Sequence, residues 1–268
     1  GFGFGAAKGG TGMIASLGMY DFGPAQAAND RLWALVRDGL RARGITAPGT
    51  LTRGEHAYWD AWQSPHLILS QTCGYPFRAR LHDRVTYVGT PDYGVDGCPP
   101  GYYRSVFVAR ADDPRETLAD FDGARFAYNE ALSQSGWAAP QTHAAKLGIR
   151  LPPTLQSGGH RLSALAVAEG RADIAALDAV THAMLREVEP QVAALRVLAL
   201  TDPTPGLPYI SAASQDPEPV FDALAEAIAA LSAPDRTKLR LKGLVRIPRE
   251  TYLAVPNPPS PEQIAAAG

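Results

Sequence analysis

The sequence predicts an α/β protein with two sets of strands and helices and mostly parallel sheets. Short apolar segments alternate along the chain with segments that have helical periodicity, a pattern typical of βαβ units. Glycine and proline (26 and 23 of 268 residues) are spread between these segments, which indicates many short elements joined by defined turns. The proline-rich segment 201–208 separates the second set from the C-terminal part of the chain.

The first set begins with the apolar segment 14–19, which predicts a buried strand. A helix is expected from Pro24 to about Arg43, because apolar residues such as Leu32 and Val36 recur on one helical face and Gly44 is a good stop. A second helix is predicted at 52–63, and further strands are predicted at 67–69, 85–88 and 103–109.

The second set alternates in the same way. Helices are predicted at 117–121, 138–147, 161–169 and 180–188, and extended segments at 125–128, 155–157, 174–177 and 195–200. After the proline-rich segment, a strand at 209–212 and helices at 218–231 and 233–242 follow. We therefore expect two lobes joined by two crossovers, each lobe of normal domain size.

The expected domain bounds follow from these crossovers. Lobe 1 is discontinuous, with residues 13–109 and 206–268, and lobe 2 comprises residues 110–205. Residues 1–12 are glycine-rich and are interpreted as a linker remnant. Met13 opens directly into a strand and no signal peptide is visible, so a cytoplasmic location stays open.

Composition excludes several function classes. The net charge is −2 and the isoelectric point is about 6.3, so a nucleic-acid partner is not expected. No segment has 18 uninterrupted apolar residues, so no transmembrane segment is expected.

The six histidines show no metal-binding spacing, and we expect neither a metal nor a cofactor. Cys73 and Cys98 either form one disulfide or are free thiols.

Polar residues gather after the predicted strands, where ligands bind in open α/β sheets. The clearest group is Ser133, Gln134, Ser135 and Gly136, which precedes a predicted helix. A helix N-terminus offers free N–H groups and partial positive charge, and serine hydroxyls add donors. This loop therefore predicts an oxyanion site without arginine or lysine, although an ordinary serine N-cap explains it too.

Other candidates occupy equivalent positions. His160 precedes a second helix and could donate to an anion, or serve as a capping or core residue. Asp178 ends a predicted strand and is either a ligand contact or the N-cap of the following helix. In the first lobe, the candidates follow the first two strands and are Tyr20, Gln71, Thr72 and Tyr75.

The loop at 133–136 and the segment from Gly158 to Asp178 carry a family resemblance. Together they resemble the phosphate, phosphite and phosphonate substrate-binding proteins of ABC transporters. The resemblance implies a type II periplasmic-binding-protein fold, with two lobes that close on the ligand about a two-crossover hinge. It covers Ile14 to about Tyr252 and is strongest over Tyr128 to Asp178.

The resemblance also implies residue roles and partners. Ser133, Gln134 and Ser135 would hold the oxyanion, His160 would contact it, and Asp178 would contact the far side of the ligand. An ABC permease is the expected partner, the expected location is the periplasm, and a monomer is expected. Gln134 stands where phosphonate-binding relatives often have threonine or serine, so the exact anion is left open.

Two other functions are consistent with the sequence. A cytoplasmic ligand sensor on the same fold would explain why Met13 opens directly into a strand. An enzyme would need a nucleophile, for which Cys73 is the candidate, although no partner for it can be inferred from one sequence. We expect a binding protein and not an enzyme.

Overall fold

The structure, a computed structural model, describes residues 12–268. Its strands are β1 (Ile14–Ser16), β2 (Leu67–Gln71), β3 (Val85–Asp92), β4 (Tyr102–Tyr103), β5 (Ser105–Ala109), β6 (Phe126–Tyr128), β7 (Pro153–Gln156), β8 (Ile174–Asp178), β9 (Arg196–Leu200), β10 (Thr204–Pro205), β11 (Tyr209–Ala212) and β12 (Gly243–Val245). Apart from Gly12, the expected linker at residues 1–12 lies outside the described residues.

The α-helices are α1 (Ala25–Ala42), α2 (Trp59–Trp62), α3 (Gly74–Pro76), α4 (Ala139–Lys146), α5 (His160–Ala168), α6 (Ala179–Val188), α7 (Pro190–Ala193), α8 (Pro217–Ala230), α9 (Ala233–Leu239), α10 (Arg249–Leu253) and α11 (Pro261–Ala267). Shorter 3₁₀ helices span Gly18–Tyr20, Glu55–Ala57 and Leu118–Phe121, and π-helical turns span Phe77–Leu81 and Gln134–Ala138. No helix among residues 12–268 is long and apolar enough to cross a membrane.

The chain divides into two compact units. Unit 1 contains residues up to 73, then 77–94 and 206–249; unit 2 contains 74–76, 95–205 and 250–268. The division differs from the expected bounds, because residues 74–76, 95–109 and 250–268 belong to unit 2. The reason is pairing: β5 lies between β8 and β9 in the second sheet, antiparallel to both.

Unit 1 is built on a five-stranded sheet with the order β1-β2-β11-β3-β12. β1 and β2 are parallel, whereas β11 is antiparallel to both β2 and β3. β1, β2 and β3 therefore run in one direction, and their carboxyl ends lie at one edge, together with the start of β11. Helix α1 packs against α8 and buries Trp33, Val36 and Leu40 in the unit's core.

Unit 2 is built on a second five-stranded sheet with the order β7-β6-β8-β5-β9. β7, β6 and β8 are parallel neighbours, and β5 runs against them. The carboxyl ends of three strands and the first residue of β5, Ser105, therefore share one edge. The sequence predicts mostly parallel sheets, but only three of the eight neighbouring strand pairs in the two sheets are parallel and five are antiparallel. Both sheets are therefore mixed, because β11, β12 and β5 run against their neighbours, although most strands of each sheet run in one direction.

The core of unit 2 is aromatic. Phe107, Phe126 and Trp137 are fully buried in one cluster that also contains Tyr75. The C-terminal segment closes over this core: Nε1 of Trp137 donates to the carbonyl oxygen of Pro259 at 3.1 Å, and Ile264 packs against the cluster. Residues 250–268 belong to unit 2 because of these contacts.

One predicted helix is interrupted. The expected helix at 52–63 is a 3₁₀ turn (Glu55–Ala57) followed by the short α2. Gly54 has a positive φ of 81°, and Tyr58 has a non-helical backbone with ψ of −114°, so the helix cannot run through the segment. Cys73 and Cys98 do not form a disulfide in this structure, so the second of the two alternatives is realised.

Candidate ligand-binding site

The loop at 133–136 begins a helical segment at the sheet edge of unit 2. Ser133 has an extended backbone, and its Oγ accepts a hydrogen bond from the N–H of Gly136 at 2.9 Å. The chain then turns through the π-helical residues 134–138 and continues directly into α4. Ser133 is thus the N-cap of this segment.

Ser135 is tied to two other segments of unit 2. Its Oγ lies 2.8 Å from Nε2 of His160, the first residue of α5. Its carbonyl oxygen accepts a hydrogen bond from Oγ of Ser105 at 2.7 Å. Ser133, Gln134 and Ser135 are all buried, so the loop has a fixed position against the sheet.

Gly136 allows the loop to lie close to the end of β6. A Cβ atom added at this position would lie 1.8 Å from Oδ1 of Asn129 and 3.2 Å from Cε1 of His160. Any residue other than glycine would therefore displace a neighbour. Oδ1 of Asn129 is buried and has no hydrogen-bond partner among the described residues.

His160 is neutral at physiological pH. Burial lowers its pKa to about 4, because the imidazolium would lose its hydration. Nδ1 is buried and has no hydrogen-bond partner in the described part of the chain. The preceding turn is held by Ser157, whose Oγ lies 2.6 Å from Oγ of Ser163 in α5.

These side chains form a cluster of neutral polar groups, which we call the serine–histidine cluster: Asn129, Ser133, Gln134, Ser135 and His160. Hydroxyl and backbone N–H donors at a helix N-terminus suit a small oxyanion. Among residues 12–268, no group of His, Cys, Asp and Glu side chains is arranged to hold a metal ion. The hydroxyl and N–H groups of the cluster can bind a ligand through hydrogen bonds from fixed positions.

A second polar cluster lies at the sheet edge of unit 1. A small pocket in this unit is lined by Tyr20, Gln71, Tyr93 and Tyr209. Nε2 of Gln71 donates to the Tyr93 hydroxyl at 2.9 Å, and the rings of Tyr20 and Tyr93 meet edge to face at 5.0 Å. Burial raises the pKa of Tyr209, which hydrogen bonds with Tyr93. The structure thus brings two predicted residues, Tyr20 and Gln71, into one pocket.

The matched family describes periplasmic phosphonate substrate-binding proteins of ABC transporters. Its sequence model matches residues 66–247, well over half of the 268 residues. The chain belongs to this family. The resemblance drawn from the sequence is confirmed, and so is the expectation of a substrate-binding protein class.

Solved structures with low sequence identity to this chain have the same fold. XAC2383 from Xanthomonas citri, bound to chloride, has a TM-score of 0.70 at 15% identity and covers 96% of this chain and 99% of its own. PhnD1 from Prochlorococcus marinus, in complex with methylphosphonate, has a TM-score of 0.67 at 15% identity and covers 90% and 95%.

A binding-protein component of an ABC phosphonate transporter from Pseudomonas aeruginosa has a TM-score of 0.64 at 17% identity and covers 87% and 81%. A search of the curated proteins gave no match. The structural matches confirm the predicted periplasmic-binding-protein architecture, with two sheets and flanking helices.

The remaining predicted residues of this phosphonate-family chain are Asp178, Tyr75 and Thr72, and all three are buried. Asp178 caps α6, with Oδ1 accepting from the N–H groups of Val180 and Thr181 at 2.7 and 3.3 Å. Tyr75 lies in the aromatic core of unit 2 and not with the other residues predicted for lobe 1. Thr72 is fully buried, and its hydroxyl has no hydrogen-bond partner among the described residues. Their ligand roles stay predictions.

Three residues of these clusters were not among the predicted site residues: Asn129, Tyr93 and Tyr209. Asn129 directly follows β6, which is the signal that could have singled it out. Tyr93 follows β3 in the same way. Both positions obey the rule that ligands bind beyond strand ends, but tyrosine and asparagine are common in ordinary loops, so residue type alone did not distinguish them.

Proposed function

We propose that this chain is the substrate-binding protein of an ABC importer and that it binds a small oxyanion of the phosphonate, phosphite or phosphate type. Family membership supports the class of protein. The observation that carries the ligand class is the serine–histidine cluster of unit 2, where Ser135, at the start of a helix, meets a neutral His160. Neutral O–H and N–H donors in fixed positions can bind an oxyanion through hydrogen bonds, without a charged side chain as its counter-ion.

Binding at this cluster would replace the hydration shell of the anion with oriented donors. The helix N-terminus contributes a partial positive charge, and the buried serines lose little further entropy when the ligand is ordered. Because Ser105 and the Asn129–Gly136 contact hold the loop in place, the donors need no rearrangement. The proposed ligand group is therefore the phosphonate or phosphate headgroup itself.

The other predicted ligand contacts are part of the same proposal. Tyr20 and Gln71 are supported by the pocket that they share in unit 1. Thr72 is supported by its buried hydroxyl, because leaving such a group unpaired costs about 1–3 kcal/mol. Tyr75 and Asp178 are included from the sequence, and for Asp178 a pair of variants separates a ligand role from its capping role.

An ABC permease as partner and a periplasmic location belong to this proposal too. Both are properties of the family to which the chain belongs. The alternative of an enzyme that uses Cys73 gains no support, because the family consists of substrate-binding proteins and the Cys73 side chain is buried. Deleting the gene in its host should abolish growth on the cognate phosphorus source at low concentration.

The direct test is a thermal-shift and calorimetry panel. It contains phosphite, methylphosphonate, 2-aminoethylphosphonate, inorganic phosphate and sulfate, together with uncharged amino acids as negative controls. Ligand at about 1,000 times its Kd stabilises the folded state by roughly 4 kcal/mol, or about 8–16 °C for a chain of this size. We expect such a shift with at least one phosphorus oxyanion, and no shift with any of them would contradict the proposal.

Two variants test whether the anion binds at the serine loop. Ser135→Ala should weaken binding roughly 10- to 100-fold, the usual value of one hydrogen bond to a charged group. Ser133→Ala also removes an N-cap, so its matched control is Ser260→Ala, which removes a serine N-cap from α11, where Oγ accepts from the N–H of Gln263 at 3.1 Å. Unchanged affinity in Ser135→Ala would move the anion site away from this loop.

A further inference from the structure

Part of the pocket in unit 1 is formed by the short turn that follows β1. Leu17 and Tyr20 line the pocket, and the ring of Tyr20 meets that of Tyr93 edge to face at 5.0 Å. Tyr20 ends the single 3₁₀ turn Gly18–Tyr20, which has no side-chain cap. A turn this short makes few hydrogen bonds of its own, so the position of the ring depends on contacts from other segments of the unit.

Asp21 links this turn to two of those segments. It directly follows the turn, and its side chain is only 8% exposed. Oδ2 accepts from Nε of Arg53 at 2.8 Å and Oδ1 from Nη2 at 3.2 Å, a two-point contact that fixes the carboxylate in orientation as well as distance. Oδ1 also accepts from Nδ2 of Asn29 at 3.0 Å, and the same Nδ2 donates to the carbonyl oxygen of Tyr20 at 3.2 Å.

Arg53 is itself held by the first turns of α1. Nη1 donates to Oδ1 of Asp30 at 2.8 Å, and Nη2 donates to the carbonyl oxygen of Gln26 at 3.1 Å. A second contact comes from the same part of the chain, where the hydroxyl of Tyr58 donates to the carbonyl oxygen of Gly18 at 3.2 Å. The guanidinium, which is charged at every physiological pH, therefore connects the turn with α1.

Another ion pair of the same unit provides a contrast. Nη2 of Arg43, at the end of α1, donates to Oε1 of Glu226 at 2.7 Å, and the glutamate side chain is 68% exposed. Such a pair contributes little, because water already solvates the charges. The carboxylate of Asp21 has lost most of its water, so it depends on Arg53 and Asn29 for its hydrogen bonds. Loss of these partners would move Asp21 and the turn before it.

We propose that Asp21 is a positioning residue, which is held by Arg53 and Asn29 and fixes the ring of Tyr20 for ligand binding. This inference rests on the proposed function, in which Tyr20 contacts the ligand. Asp21 and Arg53 act through Tyr20 and not by touching the ligand themselves. The charged pair therefore sets how much Tyr20 contributes to the affinity.

The first test needs no ligand. Because the rings of Tyr20 and Tyr93 lie edge to face, each shifts the NMR resonances of the other. In ligand-free protein with ¹³C-labelled tyrosine, assigned with Tyr20→Phe and Tyr93→Phe, we expect Asp21→Ala to move the resonances of both rings. Tyr128, which belongs to unit 2, is the internal reference. Resonances of Tyr20 and Tyr93 at their wild-type positions in Asp21→Ala would overturn the inference.

The second test is a double-mutant cycle on Asp21→Ala and Tyr20→Leu, with Kd measured for phosphite, methylphosphonate and inorganic phosphate. If Asp21 acts through Tyr20, Asp21→Ala should weaken binding in the wild-type background by roughly 10-fold. In the Tyr20→Leu background it should change Kd by less than about twofold, the usual error of additivity. An equal loss in both backgrounds would show that Asp21 acts independently of Tyr20 and would overturn the proposal.

A conservative variant separates positioning from a general loss of stability. In Asp21→Asn, the amide oxygen can still accept from Arg53 and Asn29, so we expect this variant to regain most of the affinity that Asp21→Ala loses. If both variants fold and bind equally weakly, positioning by these hydrogen bonds is wrong.

The arginine has a matched control in the same unit. Arg53→Met should weaken binding about as much as Asp21→Ala, whereas Arg43→Met, which breaks the exposed pair with Glu226, should leave Kd within about twofold of wild type. Equal losses in the two arginine variants would overturn the proposal. If the wild-type protein binds none of the probes, the proposed function fails, and the tyrosine resonances alone decide the inference.

Discussion

Gly136 and Asn129 lie so close together that a single added methyl group would not fit between them. A Cβ at Gly136 would be 1.8 Å from Oδ1 of Asn129, well inside any real contact distance. Asn129 directly follows β6 and Gly136 belongs to the helical segment that follows Ser133, so this contact fixes how the serine loop lies on the sheet edge of unit 2.

Gly136→Ala should therefore disturb the serine–histidine cluster. Overpacking of this kind costs about 1–3 kcal/mol, and the displaced loop should bind oxyanions more weakly. Gly49→Ala is the matched control, because Gly49 is exposed and has no atom within 4 Å of an added Cβ. Urea unfolding and calorimetry measure both effects, and a Gly136→Ala protein equal to the control would contradict the interpretation of this contact.

Acid should destabilise the protein in two pH ranges. Burial lowers the pKa of His160 and of His182 to about 4, with Arg186 adding to the effect on His182. Unfolded histidine binds a proton near pH 6.5, so the unfolded state binds more protons between about pH 6.5 and 4. The free energy of unfolding should fall as the pH is lowered through this range.

Below pH 4, protonation of two aspartates in ion pairs should destabilise the protein further. Arg115 lowers the pKa of Asp113 to about 2, and Arg125 holds the pKa of Asp173 well below its usual range. The stability that these pairs contribute is lost as pH falls through the folded-state values. Urea unfolding at a series of pH values checks both ranges. His182→Gln should reduce the dependence of the unfolding free energy on pH between pH 6.5 and 4 only. An unchanged pH dependence in that range would contradict a buried, neutral His182.

Asp178 combines a structural role with a predicted ligand role, and one pair of variants separates them. Asparagine caps helices as well as aspartate does, so Asp178→Asn should keep the cap of α6 and most of the stability. Asp178→Ala should cost about 0.5–2 kcal/mol, the usual value of a lost N-cap. If Asp178→Asn binds every oxyanion with wild-type affinity, the carboxylate charge has no part in binding.

The serine loop could be located from sequence because its signals are local. A strand, a polar turn with serine and glycine, and a helix follow one another within a short segment, and each leaves its own composition pattern. The same is true of the cap at Asp178. The predicted α/β class follows from the alternation of such local signals along the chain.

The contacts that define the cluster could not be predicted in this way. Ser105, Ser135 and His160 come from three distant segments, and only the sheet pairing brings them together. The strand β5 is a plain apolar run, which does not reveal that it pairs with β8 and β9 in the second sheet. For the same reason Tyr75 was predicted as a loop residue of lobe 1, whereas it lies in the core of unit 2.

The two cysteines give a simple chemical prediction. Because Cys73 and Cys98 do not form a disulfide, the intact mass should be the same with and without reductant. Cys98 is partly exposed, and burial raises the pKa of its thiol, so alkylation should be slow at pH 7 and faster at high pH. Cys73 is buried and should react only on unfolding. A mass lower by two hydrogens before reduction would show a disulfide and contradict the structure.

The C-terminal segment should stabilise unit 2 and, through it, the serine loop. Trp137 directly follows Gly136, its ring is fully buried, and its Nε1 donates to the carbonyl oxygen of Pro259 at 3.1 Å. Removing residues 256–268 would leave this donor without its partner and uncover the side of the core against which Ile264 packs.

We therefore expect the truncated protein to unfold at lower urea concentration and to bind oxyanions more weakly. Trp137→Phe should reproduce part of the stability loss, about 1–3 kcal/mol, because it removes the hydrogen bond and leaves a small cavity. The control is Ile264→Ala, which keeps the hydrogen bond and removes only apolar contact. If truncation left both the unfolding midpoint and the affinity unchanged, the segment would contribute nothing to the core, and the position of the loop would depend on Asn129 and Ser105 alone.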